Sequence, residues 1–217
     1  MKVTRFIRSM ARTIALVVLI TVSGVSSAAA ALLASDFLTA GDGFITRDDV
    51  TGLEWLDLTM TTSLSPNEVL GGALGLLTTH GFRYAVRNEI DTLYLSQGLT
   101  IDTGFVVGNE PGAGNLISLM GCTFGCGGNS PGHEGFMEPN SLTPGFAHLQ
   151  FIQQDIAAGT ARVVFGAAFT DFDQSAPSIG HYLIRDTQIP EPVGLAIFGM
   201  GLAGLASVFR LHRKLGT

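Results

Sequence analysis

Between Leu32 and Ile189 the chain contains no lysine, and its only arginines there are Arg47, Arg83, Arg87, Arg162 and Arg185. Well over a dozen acidic side chains share that stretch, so the whole-chain net charge of −6 understates its acidity, because both ends of the chain are cationic. A surface of that sign with no basic stripe excludes nucleic acid as a partner, since neutralising phosphates takes clustered Lys and Arg. It also argues against simple electrostatic capture of anionic polysaccharide, leaving neutral glycans or anionic ones bridged by a cation. Catalytic patterns are lacking as well: there is no nucleophile elbow, no zincin helix and no Gly-rich phosphate loop. The histidines His80, His133, His148, His181 and His212 stand in no arrangement that assigns a base or a ligand, although Ser130-Pro-Gly-His133-Glu134 is a tempting cluster. No catalytic residue, metal site or cofactor is therefore assigned. The paired carboxylates Asp48/Asp49 and Asp171/Asp173 carry the hard oxygens that calcium takes, but lack the remaining spacing of a calcium loop and read as solvated turns.

Cysteine is scarce too, with only Cys122 and Cys126, set in Gly121-Cys-Thr-Phe-Gly-Cys-Gly-Gly. In an oxidising compartment the first reading is a disulfide closing a tight loop. A zinc site needs more ligands than His133 and Glu134 add nearby, and free or lipid-modified thiols are the remaining alternative.

The ends of the chain are where the apolar residues run together. Lys2, Arg5, Arg8 and Arg12 precede an uncharged run from Thr13 to Val25, and small residues follow in Ser26-Ser-Ala-Ala-Ala-Ala31. That order is a signal peptide over residues 1–31, cut between Ala28 and Ala31 by signal peptidase after entry through the Sec translocon. A permanent anchor is the alternative, although the apolar core is shorter than the roughly twenty residues a spanning helix needs. At the other end, Val193 to Phe209 is a charge-free, Gly-rich run followed by Arg210, His212, Arg213 and Lys214. At 1.5 Å per residue it just spans a bilayer core of about 30 Å. The positive-inside rule leaves the basic cluster Arg210, Arg213 and Lys214 in the cytoplasm as a stop-transfer signal.

Directly before that run stands Pro190-Glu191-Pro192. Pro-Glu-Pro, an apolar Gly-rich helix and a terminal basic cluster, in that order over residues 190–214, resemble the PEP-CTERM sorting signal. The resemblance implies an exosortase that recognises Pro190, Glu191 and Pro192 and detaches the protein from its helix. It further implies an inner-membrane-anchored precursor and a mature form at the cell surface or in an extracellular biofilm matrix. Two prolines hold this stretch extended and keep Glu191 out of the helix. A plain single-pass anchor is the alternative.

Residues 32–189, roughly 155 to 160 of them, suffice for one extracytoplasmic domain with its own core. Phe44 to Arg47 and Leu53 to Leu58 read as a hairpin across the Asp48–Gly52 turn. Ser65-Pro-Asn-Glu68 is a capping box, from which a helix is expected through Leu70, Leu74 and Leu77 to a stop near His80-Gly81. Phe82 to Ala85 reads as an extended link and Val86 to Ser96 as a second helix with Ile90, Leu93 and Tyr94 on one face. Gly108 to Pro144, rich in Gly, Pro, Asn and Ser, reads as one long loop and the first place to seek a recognition surface. Gly145 to Ile152, Arg162 to Phe169 and Gly180 to Arg185 read as strands. The expected fold is α+β, with two early helices and a mainly antiparallel sheet built late.

Asp49-Val-Thr-Gly-Leu-Glu-Trp-Leu-Asp57, Gly81-Phe-Arg-Tyr-Ala85 leading into Glu89 and Leu93, and Gly180-His-Tyr-Leu-Ile-Arg185 resemble the C-terminal domain of Legionella collagen-like adhesins. That resemblance implies a C-type-lectin-like architecture and hints at carbohydrate binding. Phe82 stands where the family has Trp and Tyr84-Ala85 where it has Leu-Pro. Trp55 reads as core and Arg83 as buried-polar structure. The function expected from these readings is a non-catalytic surface or matrix component that binds exopolysaccharide. The alternative is a secreted hydrolase with its site in the 108–144 loop.

Overall fold

The computed structural model describes residues 32–140 and 142–187. The stretches read as signal peptide and as sorting segment lie outside the described residues, and with them Pro190, Glu191, Pro192, Arg210, Arg213 and Lys214. Among the described residues no helix is long and apolar enough to cross a membrane.

The chain is α+β, as expected, but its strands form two sheets and occur both early and late. In the first sheet β1 (Leu32–Ser35), β2 (Ile45–Asp48) and β3 (Leu53–Leu56) form an antiparallel meander. The closing strand β9 (Leu183–Asp186) lies between β3 and the two-residue β4 (Arg83–Tyr84), giving the order β1-β2-β3-β9-β4. The second sheet is β7-β6-β5-β8, from β5 (Gly132–Phe136), β6 (Ala147–Asp155), β7 (Thr160–Phe169) and β8 (Gly180–His181). All of its pairs are antiparallel except β5 with β8.

The strand expected over Gly180 to Arg185 thus divides at Tyr182 between the two sheets. The Tyr182 N–H donates to the Phe136 carbonyl at 2.9 Å, and its own carbonyl accepts from the Ala85 N–H at 2.8 Å. Its side chain is fully buried, and its hydroxyl donates to the Gln150 carbonyl at 3.2 Å. Because that carbonyl can only accept, the Tyr94 hydroxyl 2.6 Å away is the donor to Tyr182 oxygen.

Three helices flank the sheets. At α1 (Pro66–Leu70) the capping box forms as expected: Ser65 Oγ accepts from the Glu68 N–H, and the Glu68 carboxylate accepts from the Ser65 N–H. The helix does not continue to Leu77. It ends at Gly71-Gly72, where Gly72 takes φ +95°, and only a 3-10 turn at Ala73–Gly75 follows. Two adjacent glycines, each costing about 1 kcal/mol in a helix, outweigh the Leu70/Leu74/Leu77 periodicity. Helix α2 (Arg87–Ser96) buries Ile90, Leu93 and Tyr94 as expected.

The expected 108–144 loop needs the largest correction, because it contains helix α3 (Glu110–Met120) and strand β5. Ala113, Leu116, Ile117 and Met120 form the buried face of α3, and Pro111 lies in its first turn. Its glycines, which read as loop signals, mark close packing instead. A Cβ at Gly112 would run into the Gln97 carbonyl, and one at Gly114 into the Gln154 side-chain amide. Burial of Leu116, Ile117 and Met120, each worth about 1.5 kcal/mol or more, outweighs the helix cost of two glycines.

Two apolar clusters draw on both sheets. One joins Trp55 and Ile184 to Ile152, Ala161 and Val163, beneath α2 and α3. The other joins Ile45, Leu56, Tyr84 and Leu183 to Phe136, Ala147 and Leu149, capped by Val69, Leu76 and Phe82.

Two stability measurements test this packing. Tyr182→Phe should cost about 2 kcal/mol, because it strands the Tyr94 hydroxyl, and Tyr94→Phe about 1 kcal/mol. In urea unfolding the double variant should cost clearly less than the sum. Gly112→Ala should lower Tm despite its better helix propensity, because overpacking against backbone costs about 1–3 kcal/mol. Gly114→Ala, which meets the end of a flexible side chain, should be milder.

Candidate functional site

The disulfide loop begins as α3 ends. Cys122 and Cys126 are bonded, with their Cα atoms 5.9 Å apart. The closed loop lies along β5: Thr123 and Phe124 N–H groups donate to the Gly132 carbonyl at 2.9 and 3.2 Å, and the Gly132 N–H donates to the Phe124 carbonyl at 2.9 Å. The Phe124 ring covers Gly132, where a Cβ would collide with it. Glycine is what the position requires, for close approach of a ring rather than for turning.

Opposite residues of antiparallel strands project to the same face. Gly132 pairs with Gln153, and Gln153 with Arg162. Val106 bridges Ala161, which sets Phe105 beside Arg162. One row across the second sheet is therefore Phe105, Arg162, Gln153, Gly132 and Phe124. At about 4.8 Å per strand it runs about 19 Å. The neighbouring row carries Phe151 opposite Glu134. Phe124, Glu134, Phe151, Gln153 and Arg162 line a cleft of about 250 Å³, and each is half-buried.

The polar groups in this cleft are only partly occupied. Arg162 Nε and Nη2 donate to Gln153 Oε1 at 3.0 and 2.7 Å, leaving Nη1 and the Gln153 amide NH₂ available to a ligand. The guanidinium also lies 5.0 Å from the Phe105 ring centroid and 5.1 Å from that of Phe151. Glu134 donates its backbone N–H to Thr123 Oγ1 at 3.1 Å, while its carboxylate is in none of the ion pairs formed among the described residues. Burial pushes its pKa up. The cleft thus offers one acceptor, several donors and the two rings of Phe124 and Phe151.

His133 and Glu134, adjacent in the tempting cluster, project to opposite faces of β5. His133 is fully buried, and neither ring nitrogen has a partner in good hydrogen-bonding geometry, the Gly121 backbone lying only close enough for a weak contact. Burial holds its pKa down at about 4, and the Gly121 backbone offsets this only in part. His148 is also buried and without a partner for either nitrogen. It stacks on Phe165 at 5.2 Å, and its pKa is lowered by burial and then by the Arg87 guanidinium. His181 bonds to the Leu64 carbonyl through Nε2 at 3.0 Å and to the Tyr84 hydroxyl through Nδ1 at 2.7 Å. The carbonyl fixes the proton on Nε2, so Nδ1 accepts from Tyr84. Burial holds His181 at about 4 as well, against the raising effects of the Leu64 carbonyl and Glu68. His80 packs edge-on against Phe37 at 4.9 Å, and His212 lies outside the described residues. Among the described residues the histidines line no common cleft.

The remaining sequence candidates are structural. Trp55 is buried in the core. Arg83 is not buried-polar: its side chain is about half exposed and pairs with Glu89 at 2.6 Å, because β4 is an edge strand. Asp48 accepts from the Val50 and Thr51 N–H groups and Asp171 from that of Asp173, while Asp173 accepts from Asn67. Among the described residues no group of three or more His, Cys, Asp or Glu side chains is placed to hold a metal ion. Sequence reasoning passed over Arg162, Gln153, Phe151, Phe105 and Phe124. The signal the sequence does carry is an aromatic residue, Phe124, inside the Cys122–Cys126 loop; its pairing with Gly132 is set by strand register.

The two deeply buried histidines give a pH test. Each is neutral in the fold and regains an ordinary pKa of about 6.5 on unfolding, so the unfolded chain binds the extra protons. Their stabilisation is complete above about pH 6.5 and lost as pH falls towards about 4, on the order of 2 kcal/mol per histidine by about pH 5. Asp57 and Glu134, both raised by burial, act in the opposite sense at the acid end of that window. Urea unfolding at about pH 7.5 and 5 should show the loss, and His133→Leu should remove about half of it. Comparison with known families, with curated proteins and with solved structures finds no match for this chain.

Proposed function

We propose that this chain is an exported surface or matrix protein that binds glycan in the cleft of the second sheet and is sorted by an exosortase at Pro190-Glu191-Pro192. The observation that carries the binding reading is the row from Phe105 to Phe124. It sets apolar rings at both ends of Arg162 and Gln153, with Phe151 and Glu134 alongside. Pyranose rings present flat C–H faces and equatorial hydroxyls, which suit aromatic faces and planar hydrogen-bonding side chains respectively. A row of about 19 Å underlies several sugar units in line rather than one.

A C-type-lectin-like kinship is part of the same reading. Its support is that the three segments carrying the resemblance meet in one sheet, where β9 lies between β3 and β4. The membrane reading draws on the sequence, with one supporting feature of the fold. Leu32, Asp48, Leu53 and Asp186 lie in one register row, so the chain enters and leaves the described domain at one end of the first sheet, about 14 Å apart. Flanking segments bound for a single membrane suit that exit.

A hydrolase remains the rival reading, and Glu134, with its pKa raised by burial in a ring-lined cleft, is the observation that favours it. Glycoside hydrolysis takes two carboxylates as a rule, and Glu134 is the only one lining the cleft.

The tests are direct. The protein should be retained on the producer's own exopolysaccharide without releasing reducing ends, and Phe124→Ala or Arg162→Ala should weaken retention about tenfold at unchanged Tm. Release of reducing ends that Glu134→Gln abolishes would establish the hydrolase instead. Intact mass from the native host should show a new N-terminus from a cut between Ala28 and Ala31 and loss of the C-terminal apolar segment, with Glu191→Gln retaining the latter.

A further inference from the structure

The charge in the cleft narrows the ligand further. Of the 18 acidic residues in the chain, 17 lie within 32–189, against 5 of the 12 lysines and arginines. Arg83, Arg87 and Arg185 are committed to carboxylates: Arg83 to Glu89 at 2.6 Å, Arg87 to Asp91 at 3.2 Å and to Asp102, and Arg185 to Glu54 at 2.7 Å. Glu134 has no such cation. Arg162, the cation of its own cleft, is held two strands away by Gln153 Oε1 and by the Phe105 and Phe151 rings. Burial disfavours the charged form of Glu134, and no compensating cation within the protein lowers its pKa.

A half-buried carboxylate that shares its cleft with the rings of Phe124 and Phe151, and has no cation of its own, is a seat for an ammonium group. The carboxylate accepts a charge-assisted hydrogen bond, and the neighbouring Phe124 ring supplies an apolar wall that strengthens it by excluding water. Beside it in the row, the Gln153 NH₂ and Arg162 Nη1 are donors in search of a neutral carbonyl oxygen. Taken together these call for one ligand with amines and amide carbonyls at neighbouring positions along a chain. Resting on the glycan reading, we propose that the cleft selects an amine-bearing aminosugar polymer in which free amino groups alternate with N-acetyl groups. The ammonium sits on Glu134 and an acetamido carbonyl on Arg162 and Gln153. The acidic, lysine-free composition of residues 32–189 as a whole favours a polycation over polyuronates.

The test uses the full-length protein in detergent with β-1,4-linked glucosamine hexamers that are fully, half or not N-acetylated. Half-acetylated hexamer should bind about tenfold more tightly than the fully acetylated one, as expected for one hydrogen bond to a charged group. Glu134→Gln should erase that preference while leaving the fully acetylated hexamer unaffected, and Phe124→Ala should weaken both. Raising salt from about 50 to 500 mM should shrink the preference in the parent protein and leave Glu134→Gln unchanged. Equal binding of all three hexamers would overturn the amine assignment and leave the glycan reading standing. Failure of every hexamer and of the native exopolysaccharide would overturn both. A hexalysine peptide bound as tightly as the half-acetylated hexamer, with the same loss in Phe124→Ala, would overturn the aminosugar in favour of a cationic peptide.

Discussion

Tyr182 is the residue through which the two sheets become one domain. Its N–H is spent on β5 and its carbonyl on the residue after β4, so a single peptide unit on each side commits the chain to one sheet and then to the other. Neither group is reachable by water, and a buried unpaired donor or acceptor costs about 1–3 kcal/mol, so the crossing tolerates no slip in register. The side chain reinforces this from within the core, linking α2 through Tyr94 and β6 through the Gln150 carbonyl. Moving β9 by one residue would break the pairing with β3 and β4 and pull the tyrosine hydroxyl from both partners.

The cleft is a consequence of that register. Because β5 is held on one side by β6 and on the other by β8 and the cysteine loop, its outward residues cannot shift, and Glu134 is fixed opposite Phe151. The disulfide closes a five-residue loop whose one large side chain lies on Gly132. A rigid scaffold therefore positions the Phe124 ring, which a free loop would leave unordered.

How much of this was legible in the sequence varies by element. The β2–β3 hairpin, the capping box at Ser65 and the Ile90/Leu93/Tyr94 face of α2 were readable because local chemistry and periodicity agreed. Helix α3 was not, because Gly112 and Gly114 serve contacts with Gln97 and Gln154 that are distant in sequence, and in isolation they mimic a loop. The truncation of α1 reversed the error: there periodicity extended the helix through a glycine pair that ended it. Of the cleft, the cysteine pair is readable, and Glu134 adjoins His133 in the sequence although the two face opposite ways. Arg162, Gln153 and Phe105 were invisible, since only strand register brings residues that far apart into one row.

The placement of the five arginines between Leu32 and Ile189 bears on resistance to proteolysis. Arg47 is in β2, Arg83 in β4, Arg87 in α2, Arg162 in β7 and Arg185 in β9, so every one is inside a hydrogen-bonded element. Proteases of trypsin type cut after Lys or Arg and must thread an extended, unpaired segment through their active site. The exposed turns of this domain contain no such side chain, so an attacker of that class must wait for strands or helices to open, and the domain's lifetime is set by its folding equilibrium rather than by its loops.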